Sequence, residues 1–346
     1  MKRFFILFTL MEIHLLSAFC GGLQQKELVN MQEIELDRID IIEIRYRSDP
    51  IVVFDSNSDT FVLKEYMSDN NRDYYAKITN SGNKLVIEAG QRPKSIFNAL
   101  FRCSIEVYIP VSNKSIAITT SSGSIETVGE CIASSMTIGS SSGSISVNSV
   151  SAKEVKLKNS SGSINCQKAN GNTRIETRSG SIVCTTINGD LFANSSSGRM
   201  VLDQVSGSLN ASTTSGSIHS GAVGGDANIR TGSGSIVARS INGIIAADSS
   251  SGSVYCVATE NTEDITITTS SGSVTLDIPR NFTFNFSSWS SSGSLKTPFS
   301  DKLYSRLSDR HSIQGIIGDD NASDNQVHKH IGIRTGSGSI TVNWIN

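Results

Sequence analysis

Proline, basic surplus and cysteine are all scarce in this chain of 346 residues, and each shortage closes off a class of protein. Five prolines are too few for a proline-rich stalk. Lys and Arg total 30 against 32 Asp and Glu, a formal charge of −2, whereas a protein held to nucleic acid by its charge carries a basic excess. Six cysteines over this length do not make a disulfide scaffold. Aromatic residues are only 6%, and the one stretch that approaches a membrane span lies at the extreme N-terminus. Disorder is not favoured either: 37% hydrophobic residues plus 29 glycines place the chain in the globular range. The length allows one to three domains.

The N-terminal stretch has the layout of an export signal. Lys2 and Arg3 precede the apolar run Phe4–Phe8, Glu12 and His14 interrupt it, and small residues follow at Ser17, Ala18, Gly21 and Gly22. Residues 1–20 are therefore expected to be a signal peptide and 21–38 a linker. Cys20 is a candidate lipid-attachment residue, although Phe19 occupies a place where a small residue is normal. Ordinary cleavage near residues 20–22 and an uncleaved anchor are the alternatives. Removing Lys2, Arg3 and Glu12 leaves 28 − 31 = −3.

The dominant signal is a repeat. Ser-Gly-Ser followed by an apolar residue recurs with glycines at Gly123, Gly143, Gly162, Gly180, Gly198, Gly216, Gly234, Gly252, Gly272 and Gly293, spaced 20, 19, 18, 18, 18, 18, 18, 20 and 21 apart. A last copy, Gly338, follows after 45. A second glycine (Gly171, Gly189, Gly207, Gly225, Gly243) falls nine residues past each central copy. Counting from the first glycine, position +2 reads Ile125, Ile145, Ile164, Ile182, Met200, Ile218, and position −5 includes Ile118, Ile138, Leu157 and Ile175. Apolar residues alternate with polar ones on both sides, the period of a strand with one buried face. Two short strands and two corners make an 18-residue coil, and one coil cannot bury its apolar row alone. Stacking coils at about 4.8 Å pairs each backbone with the next. The fold class is therefore all-β: a parallel β-solenoid (β-helix) of about ten coils over 121–295, with Gly and Asn expected at the corners for positive φ. A flexible Gly/Ser linker would not keep isoleucine in register.

These repeated Ser-Ser-Gly-Ser-Ile units, with intervening Asn-Gly-Asp-like turns, resemble the bacterial "putative-adhesin" family of β-strand-repeat proteins, a domain of unknown function. The resemblance spans roughly 36–346 and implies a surface role, without assigning any binding or catalytic residue.

Outside the repeats, 39–120 alternates loosely (Ile39–Tyr46, Phe61–Leu63, Leu85–Glu88, Ile105–Ile109) and reads as a β-rich N-terminal cap over the open solenoid end, or else as a separate ligand-binding domain. Residues 296–330 read as an insertion, a capping loop or a recognition excursion, and 331–346 as the final solenoid strand. Cys166 and Cys184 share position +4 one coil apart, where a disulfide or a pair of buried free thiols is possible; Cys103 and Cys131 near the cap junction pose the same alternative. His311, His328 and His330 are weak metal candidates. Asp319-x-Asn321-x-Ser323 opens like a calcium loop but lacks its later ligands. Threonine pairs such as Thr213-Thr214 do not recur coil after coil, which argues against an ice-binding lattice.

No cofactor and no catalytic or metal residue is expected. Polysaccharide-cleaving β-helices gather charged groups on one outer sheet, while Lys156, Lys158, Glu176, Arg178, Arg230 and Arg239 look scattered here. The leading expectation is a non-enzymatic, exported cell-envelope module with a protein or glycan partner, lipid-anchored, periplasmic or secreted, and no nucleic acid. The alternative is an envelope-stress regulatory protein acting on a membrane partner; a polysaccharide-acting enzyme comes third.

Overall fold

A computed structural model describes residues 25–93, 101–299, 307–308, 311–317 and 329–345. The expected signal segment, Cys20 included, lies outside them, as do Asp319, Asn321, Ser323 and His328. The described chain is all-β apart from one 3-10 turn, Arg72–Tyr74.

Each repeat forms a leading strand, a Ser-Gly-Ser corner and a trailing strand. Leading strands pair in parallel with leading strands, as Leu191–Ser195 does with Leu209–Thr213. Trailing strands do the same, as Met200–Val205 does with Ile218–Val223. The register follows the sequence repeat, so that Ile145, Ile164, Ile182, Met200, Ile218 and Ile236 stand directly above one another, all buried. Position −5 supplies a facing row that includes Ile138, Leu157, Ile175 and Ile229. These rows form one continuous core.

The corner glycines are needed for space and not for φ. Among the described glycines only Gly82, Gly129, Gly171 and Gly189 have positive φ, so the expected left-handed corner holds at Gly171 (127°) and Gly189 (148°) but at none of the Ser-Gly-Ser glycines. A Cβ on Gly216 would fall inside the carbonyl oxygen of Gly198, and one on Gly234 inside that of Gly216. From Gly143 onward, each Ser-Gly-Ser glycine thus lies against the carbonyl of the glycine one coil away.

A second element locks the same corner. Three residues before each glycine stands a buried Thr, Ser or Asn. The Gly234 N–H donates to the Thr231 hydroxyl (3.1 Å), which donates in turn to the Gly216 carbonyl (2.8 Å). Ser140, Asn159, Ser249 and Thr269 repeat the pattern. The corner N–H of one coil and the corner carbonyl of the next, both buried, are satisfied through one side chain.

At both ends the stack departs from sequence order. Ile41–Arg45 pairs in parallel with Ser115–Thr120, and Ile51–Ser56 with Ile125–Ile132. The parallel coils therefore begin well before residue 121, inside the segment expected to be a cap. Their corner there is Asp49-Pro50, and the Asp49 carbonyl occupies the place that a Gly123 Cβ would need. Lys84–Glu88 and Cys103–Pro110, later in sequence, form the next coil outward. Antiparallel strands then close this end: Lys77–Ser81 on Lys84–Glu88, Thr60–Met67 on Cys103–Pro110, and Glu27–Glu35 on Thr60–Met67.

At the other end, Lys329–Thr335 pairs with Ile265–Thr269 on one side and Phe284–Ser290 on the other. Ile340–Ile345 likewise lies between Val274–Pro279 and Leu295–Lys296. The glycine order is therefore Gly272, Gly338, Gly293. The segment expected to finish the solenoid sits inside it, and the outermost coil is 284–296. Side-chain size explains the order. Ile331, Ile333, Ile340 and Val342 continue the aliphatic rows. Phe284 and Phe286 stack edge-on with Phe299, which also packs on Trp344, and these rings cover the open end of the core.

Two substitutions test the corner. Gly216→Ala is expected to cost about 3 kcal/mol because backbone must move. Gly139→Ala, where the nearest atom to the new methyl is 3.6 Å away, should change stability by less than about 0.5 kcal/mol; urea midpoints of the two variants compare them directly. Thr231→Val keeps the shape of the side chain but strands a donor and an acceptor, and should cost about 2 kcal/mol, while Thr231→Ser retains most of the stability.

Candidate surface groove

Because inward positions are fixed by the core, variation between coils is confined to the outward rows. On the leading-strand face one such row reads Lys156, Arg174, Phe192, Asn210, Asn228 and Ala246, in direct cross-coil register. The first three side chains are long and the next three short. The step in height helps to form a groove of about 670 Å³, flanked by Asn172, Asp190, Asp226 and the exposed Ile244.

The charges beside the groove are already engaged. Lys156 pairs with Glu154 (2.7 Å), and that hydrogen bond holds the Glu154 carboxyl below its usual range. Glu176 is partly desolvated, which works against ionisation, yet hydrogen bonds from Arg174 and Lys158 keep its pKa low. Arg174 in turn lies over the Phe192 ring, 4.0 Å from its centroid. Asp190 and Asp226 each accept a backbone N–H from the next coil, from Ser208 (2.8 Å) and Ile244 (2.9 Å). Lys156, Lys158 and Glu176, which looked scattered in sequence, are thus brought into paired positions on one face. By contrast, the Asn228 Oδ1 is closed off from solvent and has no hydrogen-bond partner among the described residues.

A second concave region lies at the N-terminal end, where Arg92 pairs with Asp49 (2.9 Å) and donates to the Tyr74 carbonyl (2.6 Å). Nearby, fully buried Glu65 accepts from Tyr46 Oη, Asn30 Nδ2 and the Ala76 N–H. These groups satisfy one another and fasten the closing strands to the first coils.

The cysteine expectations resolve onto the core. Cys166 and Cys184 are direct register partners in adjacent coils, as their spacing predicts. Both are free thiols, as are Cys103, Cys131 and Cys256. Burial pushes Cys166 and Cys256 up to about 12 and holds Cys184 well above the usual thiol range. Cys103 and Cys131 lie on strands separated by Ile51–Ser56. His311 meets the Ser290 carbonyl, and His330, the second residue of the inserted leading strand, lies opposite Asn285. The run Gly139-Ser140-Ser141-Ser142-Gly143 has the spacing of a hydrolase nucleophile elbow, but it forms a coil corner between two parallel strands and not the strand-to-helix turn that such chemistry uses. Sequence reasoning missed the groove because it read the outward row for charge alone; the change from Lys, Arg and Phe to Asn, Asn and Ala at position −6 is the signal that locates it.

The model of the Toastrack DUF4097 family matches residues 39–225 and 220–343. The chain belongs to that family. No curated protein matches it. Among solved structures it is similar to a "putative adhesin" from Parabacteroides merdae, at 12% identity and a TM-score of 0.38, over 92% of this chain and 96% of that one. It is also similar to a "putative lipid binding protein" from Parabacteroides distasonis (15% identity, TM-score 0.31, 92% and 96% coverage). A "putative cell adhesion protein" from Clostridium sporogenes aligns at 9% identity and a TM-score of 0.22, over 93% and 100%. Among the described residues of this Toastrack chain, no helix is long and apolar enough to cross a membrane.

The raised thiols give a direct expectation. At about pH 8, Cys166, Cys184 and Cys256 stay protonated and shielded in the native protein and resist iodoacetamide, whereas all three label in denaturant without reductant. Labelling of Cys166 and Cys184 only after reduction would replace the free thiols with a disulfide.

Proposed function

We propose that this Toastrack protein is a non-enzymatic, exported cell-envelope interaction module. It is a parallel β-solenoid whose coils extend into the N-terminal region and are closed there by antiparallel strands, and its leading-strand face meets a partner at the envelope. The observation that carries this reading is the groove at Phe192, Asn210 and Asn228, an aromatic and amide surface beside charges already paired with one another or with backbone. An enzymatic reading has less support. The groove's Asp190 and Asp226 are bound to backbone N–H groups and stand two coils apart, about 10 Å along the stack. General acid–base work on one bond needs both groups within reach of the reacting atoms.

The N-terminal layout adds export to this reading, with Cys20 as the anchor point. The test is the intact mass and membrane partitioning of the protein from its native host beside Cys20→Ala, with protease added to intact cells. A lipid-modified mass beginning at Cys20, lost in the variant, together with cleavage by the external protease, is the expected result. A soluble, unlipidated product removes the anchor. A protein that external protease does not reach, with an altered envelope-stress response on deletion, replaces the surface module with the regulatory alternative.

A further inference from the structure

Resting on the reading of the leading-strand face as the binding surface, we propose that its groove takes a neutral saccharide, with an apolar ring face on Phe192 and hydroxyls on the amides of Asn210 and Asn228.

Charge decides the first step. Lys156 is matched by Glu154 and Arg174 by Glu176, and Asp190 and Asp226 are bound to backbone N–H groups. An anionic headgroup would find each groove cation already paired, and a cationic peptide would find each Glu shared with Lys or Arg and each Asp held through one oxygen by backbone. What else the groove presents is the Phe192 ring, on which Arg174 already lies from one side, and side-chain amides. Amides donate and accept in the same group, as a hydroxyl does.

Geometry narrows the ligand further. An extended peptide binds a sheet by adding a strand to an open edge. The strands under this groove have no edge: Leu209–Thr213 and Ala227–Thr231 are each paired in parallel on both sides. A lipid chain needs a continuous apolar trough, and the row beyond Phe192 is Asn210 followed by Asn228. A sugar ring matches the row in the order in which it occurs. Its C–H face suits the ring of Phe192, and its hydroxyl rim suits the amides one and two coils farther on. Arg174 covers Phe192 from the preceding coil, which leaves the ring supported on that side.

Asn228 supplies an independent observation. Its Oδ1 is cut off from solvent with no donor, and no hydrogen bond ties its amide to another described residue. An acceptor left in that state carries an uncompensated desolvation cost. A ligand hydroxyl that turns the amide outward and donates to it recovers that cost on binding. The neighbouring solenoid amides are not in this state; Asn188, for example, donates to Asn170.

The experiment titrates the full mature protein by calorimetry with neutral hexasaccharides of glucose, mannose, xylose, galactose and N-acetylglucosamine, and with a sulfated hexasaccharide for comparison. Binding of at least one neutral chain is expected, with no preference for the sulfated one. Phe192→Ala should weaken it by about tenfold or more and Asn228→Ala by about fivefold. Phe192→Tyr, which keeps the aromatic face, should stay within about threefold, as should Tyr255→Ala on the trailing-strand face. The replaced side chains lie on outward rows, and cooperative urea transitions verify that the variants fold. Failure of every neutral chain to bind overturns the proposal, as does affinity that is indifferent to Phe192→Ala or confined to the sulfated ligand. These outcomes leave the surface reading intact, because that reading is decided separately by the Cys20 mass and external proteolysis.

Discussion

The structure depends on the approach of one corner carbonyl to the glycine of the next coil. In a parallel stack the spacing between coils is set by the backbone hydrogen bonds, at about 4.8 Å. At a sharp corner the carbonyl of one coil lies where the next coil's Cβ would be, so only glycine lets both strands of a coil keep that spacing. The Thr, Ser or Asn three residues earlier then serves the buried N–H and carbonyl together, as Thr231 does between Gly234 and Gly216. Position of the glycine and register of the two strands are one constraint. From it follow the isoleucine row, the facing Ile and Leu row and the apolar core between them.

Much of this was legible in the sequence because it is periodic. The glycine spacing and the apolar positions at +2 and −5 predicted which residues meet, and Ile164 above Ile182 and Cys166 beside Cys184 lie as that spacing requires. The corner hydroxyl was visible but camouflaged. In a segment this rich in serine and threonine, residues such as Ser195 and Thr231 look like their neighbours until the bonds to Gly198 and Gly234 distinguish them. The reason for glycine was also misread at the first corner, since composition does not separate a demand for positive φ from a demand for room.

The order of coils at the two ends was not legible for a different reason. A repeat specifies how a coil stacks but not on which neighbour, and Gly338 carries the same local pattern as Gly272 and Gly293. Only the residues at the open end break the tie. Isoleucine and valine in the inserted strands satisfy neighbours on both sides, while Phe284, Phe286 and Phe299 form a cover that would be too bulky for an interior rung. At the opposite end Asp49-Pro50 replaces the usual corner, so the first coil lacked the glycine by which the others were recognised. Its acid is held by Arg92, and closing strands that run antiparallel remove the parallel edge.

The same division between inward constraint and outward freedom explains why a site arises on this scaffold. Every coil must present nearly identical side chains to the core, so a local feature is written only in the outward rows. Because those rows are in exact register, a change in side-chain length from one coil to the next becomes a step on the surface, without bending the backbone. Arg174 and Phe192 above Asn210 and Asn228 make such a step. The groove has a rigid floor, since each strand beneath it is hydrogen-bonded on both sides, and a ligand that fits it does not have to order the backbone first. A repetitive rod therefore gains one distinct position along its length through a few exposed residues that its fold leaves free to differ.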